Sequence, residues 1–165
     1  MRYAGVIQND VINGEGVCTS FFTQGCPHHC PGCFNPETWD PKGGIQLPVG
    51  YKEKIYKILT DNNIERNLYI LGGEPLAPWN LIIVKELIKY IKSHLPHIKI
   101  YLWTGYTLEE LNKNLDKNVK YILSNIDYLI DGKFIEEQKD LTLHLRGSKN
   151  QRIFQNINGS FNLIS

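Results

Sequence analysis

Between Gln24 and Asp40 the chain reads QGCPHHCPGCFNPETWD, and no other stretch restricts its possible folds as much. Five prolines and four glycines lie between Gly25 and Pro48, which excludes a long helix there. The connection they make is well beyond ordinary loop length, and long ordered loops are usually functional. Three of the four cysteines, Cys26, Cys30 and Cys33, fall within eight residues, so their thiolates can converge on one centre. Soft sulfur ligands suit iron–sulfur clusters or zinc and suit magnesium or calcium poorly. The spacing C-x3-C-x2-C differs from ferredoxin runs, which give four cysteines per cluster. On a four-iron cluster it leaves one corner without a protein ligand, where a substrate can meet the metal.

The fourth cysteine, Cys18, lies in GVCTSFFTQG, a β-rich run. An extended strand would carry it roughly 25 Å from Cys26 at about 3.3 Å per residue, so Cys18 reads as a buried structural thiol. In a flexible segment the same four cysteines would instead read as a closed zinc site. His28 and His29 are also able to complete a site. Inside the loop, however, their rings compete with the thiolates for geometry, and they read as solvent-facing or cofactor-adjacent rather than as ligands.

A chain of 165 residues fits one domain, residues 1–165, and buries about 70% of its unfolded surface. Its net charge of +1 gives no electrostatic footprint for nucleic acid. No apolar run reaches the roughly 18 residues of a membrane span, and the start MRYAGVIQND lacks the basic-then-apolar order of a signal peptide. A cytoplasmic protein is expected, in a reducing compartment that keeps thiolates free for metal. There is no P-loop, serine nucleophile elbow or nicotinamide fingerprint, and NGEG is too short for a dinucleotide motif.

Strand and helix signals alternate along the chain. YAGVIQNDVI alternates loosely and ends in a glycine-punctuated turn, and Thr19 to Gln24 is aromatic and β-branched, leading into the cysteine loop. Tyr51 to Asn62 has a helical apolar face, Leu68 to Leu71 is a short strand, and a helix starts near Trp79. Ile98 to Trp103 is a strand, and Thr107 with Glu110 forms a capping-box signal for the next helix. Val119 to Ile126 reads as helix and Tyr128 to Ile130 as strand. Leu141, Leu143 and Leu145 alternate with polar residues and read as an edge strand, whereas NINGSFNLIS has too little pattern to assign.

Such alternation implies a parallel sheet with right-handed crossovers, whose ligands bind at the C-terminal strand ends. The cysteine loop (25–40), GGEP, WTGY and DGK each fall at such an end. A complete eight-unit barrel takes about 250 residues. The expected fold is therefore α/β, a partial, open (β/α) barrel with parallel strands.

The C-x3-C-x2-C triplet resembles the cluster motif of the radical S-adenosylmethionine superfamily. The longer string NGEGVCTSFFTQGCPHHCPGCFNPETWD, with LGGEPL, LWTGYTLEEL, DGKF and RGSKNQRI, is similar to one branch, the activating proteins of anaerobic ribonucleoside-triphosphate reductases. Together these strings run from about Asn13 to Ile153. The triplet alone would indicate only the superfamily; GCFNPETW and WTGYT make the match to the branch specific.

The resemblance implies that Cys26, Cys30 and Cys33 bind three irons of a 4Fe-4S cluster and that S-adenosylmethionine chelates the fourth. A reduced cluster would then cleave the sulfonium to a 5′-deoxyadenosyl radical, which removes the α-hydrogen of a glycine in the reductase. It also implies that the stretch Gly72, Gly73 and Glu74 holds the methionine ammonium. By itself that stretch also reads as a strand-to-helix turn whose acid complements the helix dipole. Gly32 and Phe34 flank the third cysteine near the adenine, Phe34 being equally suited to packing under the loop. Thr104 is placed to bond ribose or to cap a helix, and Trp103 and Tyr106 read as core or interface. Asp131 and Lys133 are candidates to orient a carboxylate or to pair with each other. Asn150, Gln151 and Arg152 read as a loop near the partner surface. The implied partners are the reductase's catalytic subunit and a low-potential electron donor such as flavodoxin or ferredoxin. The alternatives are an activase of another glycyl-radical enzyme, of formate-lyase type, and a zinc-stabilised binding module without catalysis.

Overall fold

Three short runs, NLYILG, IYLW and YLID, place alternate side chains on opposite faces of a sheet, as the two-residue period of a strand requires. The protein is described by a computed structural model covering all 165 residues. Its elements are β1 (Arg2–Asp10), β2 (Cys18–Thr23), β3 (Ile45–Gln46), α1 (Tyr51–Leu59), β4 (Asn67–Gly72), α2 (Leu81–His94), β5 (Ile100–Trp103), α3 (Leu108–Lys113), α4 (Lys117–Asn125), β6 (Tyr128–Asp131), β7 (Arg152–Ile157) and β8 (Ser160–Leu163).

All eight strands form one sheet in the order β3-β1-β2-β4-β5-β6-β7-β8. The central strands β2, β4, β5 and β6 are parallel. The flanking strands are antiparallel, which corrects the expectation of a parallel sheet throughout. Connection length explains much of this, because the turn from β1 to β2 is too short for the crossover that parallel strands need. Asn158 and Gly159, at φ 51° and 85°, supply the tight turn that folds β8 back on β7. With β3 and β8 as its two edges, the sheet is open.

One face of the sheet carries Leu68, Ile70, Ile100, Leu102 and Leu129, which pack against Ile55 and Leu59 of α1, Val84, Leu87 and Ile91 of α2, and Val119 and Ile122 of α4. The opposite face carries Tyr69, Tyr101, Ile130 and Trp103. Register aligns Tyr69 with Tyr101 and Tyr101 with Tyr128. Their ring centroids stand 4.6 and 4.4 Å apart, forming an aromatic row across three strands. Such pairs each add about 0.5–1.5 kcal/mol beyond the area they bury. The capping box forms as expected: Thr107 Oγ1 accepts from the Glu110 amide, and Glu110 accepts from the Thr107 amide at 2.7 Å.

One sequence expectation fails in the last third of the chain, and one stretch left without an assignment proves to be structured. Leu141, Leu143 and Leu145 form no strand. Asp140 and Gly147 close a loop there, Leu145 adopts φ 56°, and its carbonyl accepts the indole N–H of Trp103 at 2.9 Å. The unassigned stretch, residues 156–165, holds the end of β7 and all of β8. The helix expected over 51–62 stops at Leu59, where Asn62 and Asn63 turn into the left-handed region.

Candidate functional site

The cysteine loop begins where β2 ends and is drawn together at its neck. The amide of Gly25 donates to the Thr38 carbonyl at 2.7 Å, and that of Cys26 to the Trp39 carbonyl at 3.0 Å. From inside the neck, Gln24 Nε2 donates to the carbonyls of Glu37 and Asp40 at 3.0 and 2.8 Å. The Gln24 carbonyl accepts from Trp79 and Asn80, which ties the loop to the approach of α2. The turn after β4 meets the same neck, since the Glu74 amide donates to the Gly25 carbonyl at 2.9 Å. A Cβ on Gly73 would stand 2.5 Å from that carbonyl oxygen. The positive φ of this turn belongs to Gly72, at 104°, so Gly73 is required by the close backbone approach and Gly72 by its conformation.

Cys26, Cys30 and Cys33 are free, half-buried thiols on the wall of one cavity of about 720 Å³. Phe34, Gly72, Gly73, Glu74, Thr104 and Lys133 line it too. Burial pushes the Cys26 thiol up to about 11, opposed by the amides of His28 and His29 and reinforced by the charges of Glu74 and Cys30. Burial also raises Cys30, against the Phe134 amide and the charge of Lys133. The sulfur of Cys33 accepts the Asn35 amide at 3.4 Å. The three thiols are not drawn into a ready-made site for a metal ion; what they share is the cavity wall. Soft donors with backbone N–H groups directed at them fit an iron–sulfur cluster, whose sulfurs accept such bonds. Cys18 is apart from them, fully buried, its S–H donating to the Asp10 carbonyl at 3.1 Å.

Glu74 is buried and accepts the Thr104 hydroxyl at 2.8 Å. His28 is not solvent-facing, because its side chain is 6% exposed and its Nε2 lies 2.8 Å from Glu74 Oε2. His29 is exposed and stacks on Trp39 with ring centroids 4.8 Å apart. Phe34 lines the cavity while packing on Phe134 at 4.9 Å, so it both walls the site and supports the loop. Gly32 lies outside the lining, exposed at φ 75° and beside the Glu136 side chain. Asp131 is also outside it: buried, it accepts Arg152 Nε at 3.0 Å and the Leu108 amide at 2.7 Å. No Asp131–Lys133 pair forms, since the carboxylate is turned to Arg152 and Lys133 faces the cavity. Gln151 and Asn150, just before β7, hold the carbonyls of Gly132 and Lys133 and fix the DGK turn, whereas Arg152, read from sequence as part of the same loop, is the first residue of the strand.

Two further segments wall the cavity that were not read as site residues, 12–14 and 141–147. A His144–Glu15 contact of 3.1 Å joins them. They overlap the NGEG and RGSKNQRI strings, but only the folded chain brings them to the strand ends.

A family model described as a 4Fe-4S single cluster domain matches residues 12–154. Among curated proteins, the chain is similar to the anaerobic ribonucleoside-triphosphate reductase-activating protein of Vibrio cholerae, 42% identical over 93% of this chain and 97% of that protein. The protein of the same description from Haemophilus influenzae is 41% identical over 93% of this chain and 97% of its own length. Its counterpart from Enterobacteria phage T4 is 33% identical over 96% of this chain and 97% of its own length.

Proposed function

The chain belongs to the family of anaerobic ribonucleoside-triphosphate reductase-activating proteins, and from that premise we propose that it holds a 4Fe-4S cluster on Cys26, Cys30 and Cys33, binds S-adenosylmethionine in the adjoining cavity, and places a glycyl radical on the anaerobic ribonucleoside-triphosphate reductase. The observation that carries this reading is the shared wall: three cysteines, the GGEP turn and Thr104 face one cavity of about 720 Å³. That volume lies within the range of about 300–1,000 Å³ typical of cofactor sites. When bound, a cluster held by Cys26, Cys30 and Cys33 would supply one electron for reductive cleavage of S-adenosylmethionine, the chemistry that hydrogen abstraction from a glycine α-carbon would draw on.

The chain's own residues bind and orient. Gly72 and Gly73 bring backbone to the cavity wall without side chains in the way, and Glu74 fixes Thr104 beside them. Lys133 offers a cation to the cofactor's carboxylate, and Phe34 an aromatic wall to its adenine. We read the open sheet as the wall of an incomplete barrel, whose gap admits a loop of the reductase. Glycine suits the reaction because no side chain obstructs its α-carbon. A low-potential donor such as flavodoxin or ferredoxin supplies the electron, in a reducing cytoplasm that suits the free thiols. No helix is long and apolar enough to cross a membrane.

Reduced, cluster-loaded protein mixed with S-adenosylmethionine and the reductase should give a stable glycyl radical, read directly by electron paramagnetic resonance. A formate-lyase type enzyme serves as the parallel substrate, since it shares the chemistry but differs in docking surface. Radical on that enzyme and none on the reductase would overturn the assignment of target, while cofactor cleavage without radical on either would mean a small-molecule substrate.

A further inference from the structure

Both oxygens of the buried Glu74 carboxylate are engaged. Oε1 accepts the Leu76 amide at 2.9 Å and the Thr104 hydroxyl at 2.8 Å; Oε2 accepts the Gly105 amide at 2.8 Å and stands 2.8 Å from His28 Nε2. The Gly105 amide already makes Oε2 an acceptor, and an imidazole carrying its hydrogen on Nε2 completes the set as a fourth donor. The four donors come from three separate stretches: the turn after β4, the turn after β5, and the middle of the cysteine loop. His28 lies two residues from Cys26 and two from Cys30. Its ring is also enclosed from the side, for a Cβ on Gly105 would stand 2.4 Å from it and the Tyr106 ring meets it edge-on at 4.6 Å. This is a formed slot, in which the glycine of WTGY makes room for an imidazole.

We propose that His28 is a positioning residue: through its buried hydrogen bond to Glu74 it holds the middle of the cysteine loop against the turns after β4 and β5, and so keeps Cys26 and Cys30 at the cavity wall. The proposal rests on the reading of those cysteines as cluster ligands. It assigns the Glu74 side chain to joining the loops, which leaves the backbone of Gly72 and Gly73 as the part of that turn facing a cofactor. The neck fixes where the loop starts and ends, and the His28 bond fixes its middle, which prolines and glycines alone leave free.

The test uses full-length protein reconstituted anaerobically with iron and sulfide, followed by iron loss to a chelator and by the paramagnetic resonance spectrum of the reduced cluster. His28→Ala should bind wild-type iron at saturation, release it about tenfold faster, the scale of losing one hydrogen bond to a charged group, and show an altered spectrum. His28→Gln, whose amide N–H still reaches the carboxylate, should restore most of both properties. Glu74→Gln has one oxygen for four donors and should behave like His28→Ala, and the double variant should be no worse than the worse single one. Ile122→Ala, in the remote core of α4, should lower the melting temperature with wild-type iron release and spectrum. The proposal is overturned by wild-type behaviour of His28→Ala, by failure of glutamine to rescue, or by equally fast release from Ile122→Ala. Wild-type protein that takes up no iron would remove the cluster reading itself, a result the iron assay tells apart from the others.

Discussion

At Cys18 the thiol is sealed inside the protein and bonded to the Asp10 carbonyl, while Cys26, Cys30 and Cys33 open onto the cavity. Burial pushes the Cys18 thiol up to about 11, as it does Cys26, so what sets Cys18 apart is access: it is fully buried and no part of it lines the cavity. Replacing each loop cysteine by alanine should abolish cluster assembly, whereas Cys18→Ala should leave iron and sulfide content unchanged; iron loss in the Cys18 variant would mean a fourth ligand. This division was readable in the sequence, because the β-rich run around Cys18 marks it as part of a strand while the other three thiols share one short loop. The position of His28 was not. Spacing puts a histidine between two cysteines but says nothing of which way its ring turns, and that depends on a glycine and a glutamate more than forty residues away.

Among the elements, β4, β5 and β6 were legible because aromatic and branched side chains alternate in short runs bounded by glycine. The hairpin of β7 and β8 was not, since apolar and polar residues do not alternate along it: Ile153 and Phe154 are buried in succession, and Ile157 and Leu163 are exposed. Asn158-Gly159 was the strongest local signal there, a tight-turn pair that only makes a hairpin once strands form on both sides. The leucines at 141, 143 and 145 show the reverse error: alternation without a partner strand becomes a loop, closed by the Asp140 amide on the Gly147 carbonyl and tied to Trp103 by its indole N–H. What anchors the hairpin is Arg152, which bonds the buried carboxylate of Asp131 and reaches Glu109 of α3 at 2.7 Å. Arg152→Ala leaves that carboxylate with the Leu108 amide alone. The expected loss is about 3 kcal/mol, the scale of breaking a buried pair, measured by urea unfolding. A loss within experimental error would show that Arg152 is dispensable to the hairpin.

For the molecule as a whole, the cavity lies at one end of the open sheet, and its lining is drawn from every parallel strand's following loop. A group bound there couples these loops and stabilises the folded chain, because the unfolded chain has no formed site for it. Cluster-loaded protein should melt roughly 5–10 °C above the iron-free form, as a ligand at about 100 times its dissociation constant does for a chain of this length. The three loop-cysteine variants should melt with the iron-free form, and equal melting of loaded and iron-free protein would show that the loop is not tied to the fold.

The neck of the cysteine loop also bears on the order in which the chain gathers itself. Joining Gly25 to Thr38 closes roughly 13 residues, whereas pairing β2 with β4 closes roughly 49, a difference of about 1.2 kcal/mol in closure entropy. Contacts near in sequence form sooner than distant ones of equal strength. The neck's own backbone bonds therefore need only the chain as far as Trp39, whereas the wall around the three thiols needs strands that follow much later in the sequence.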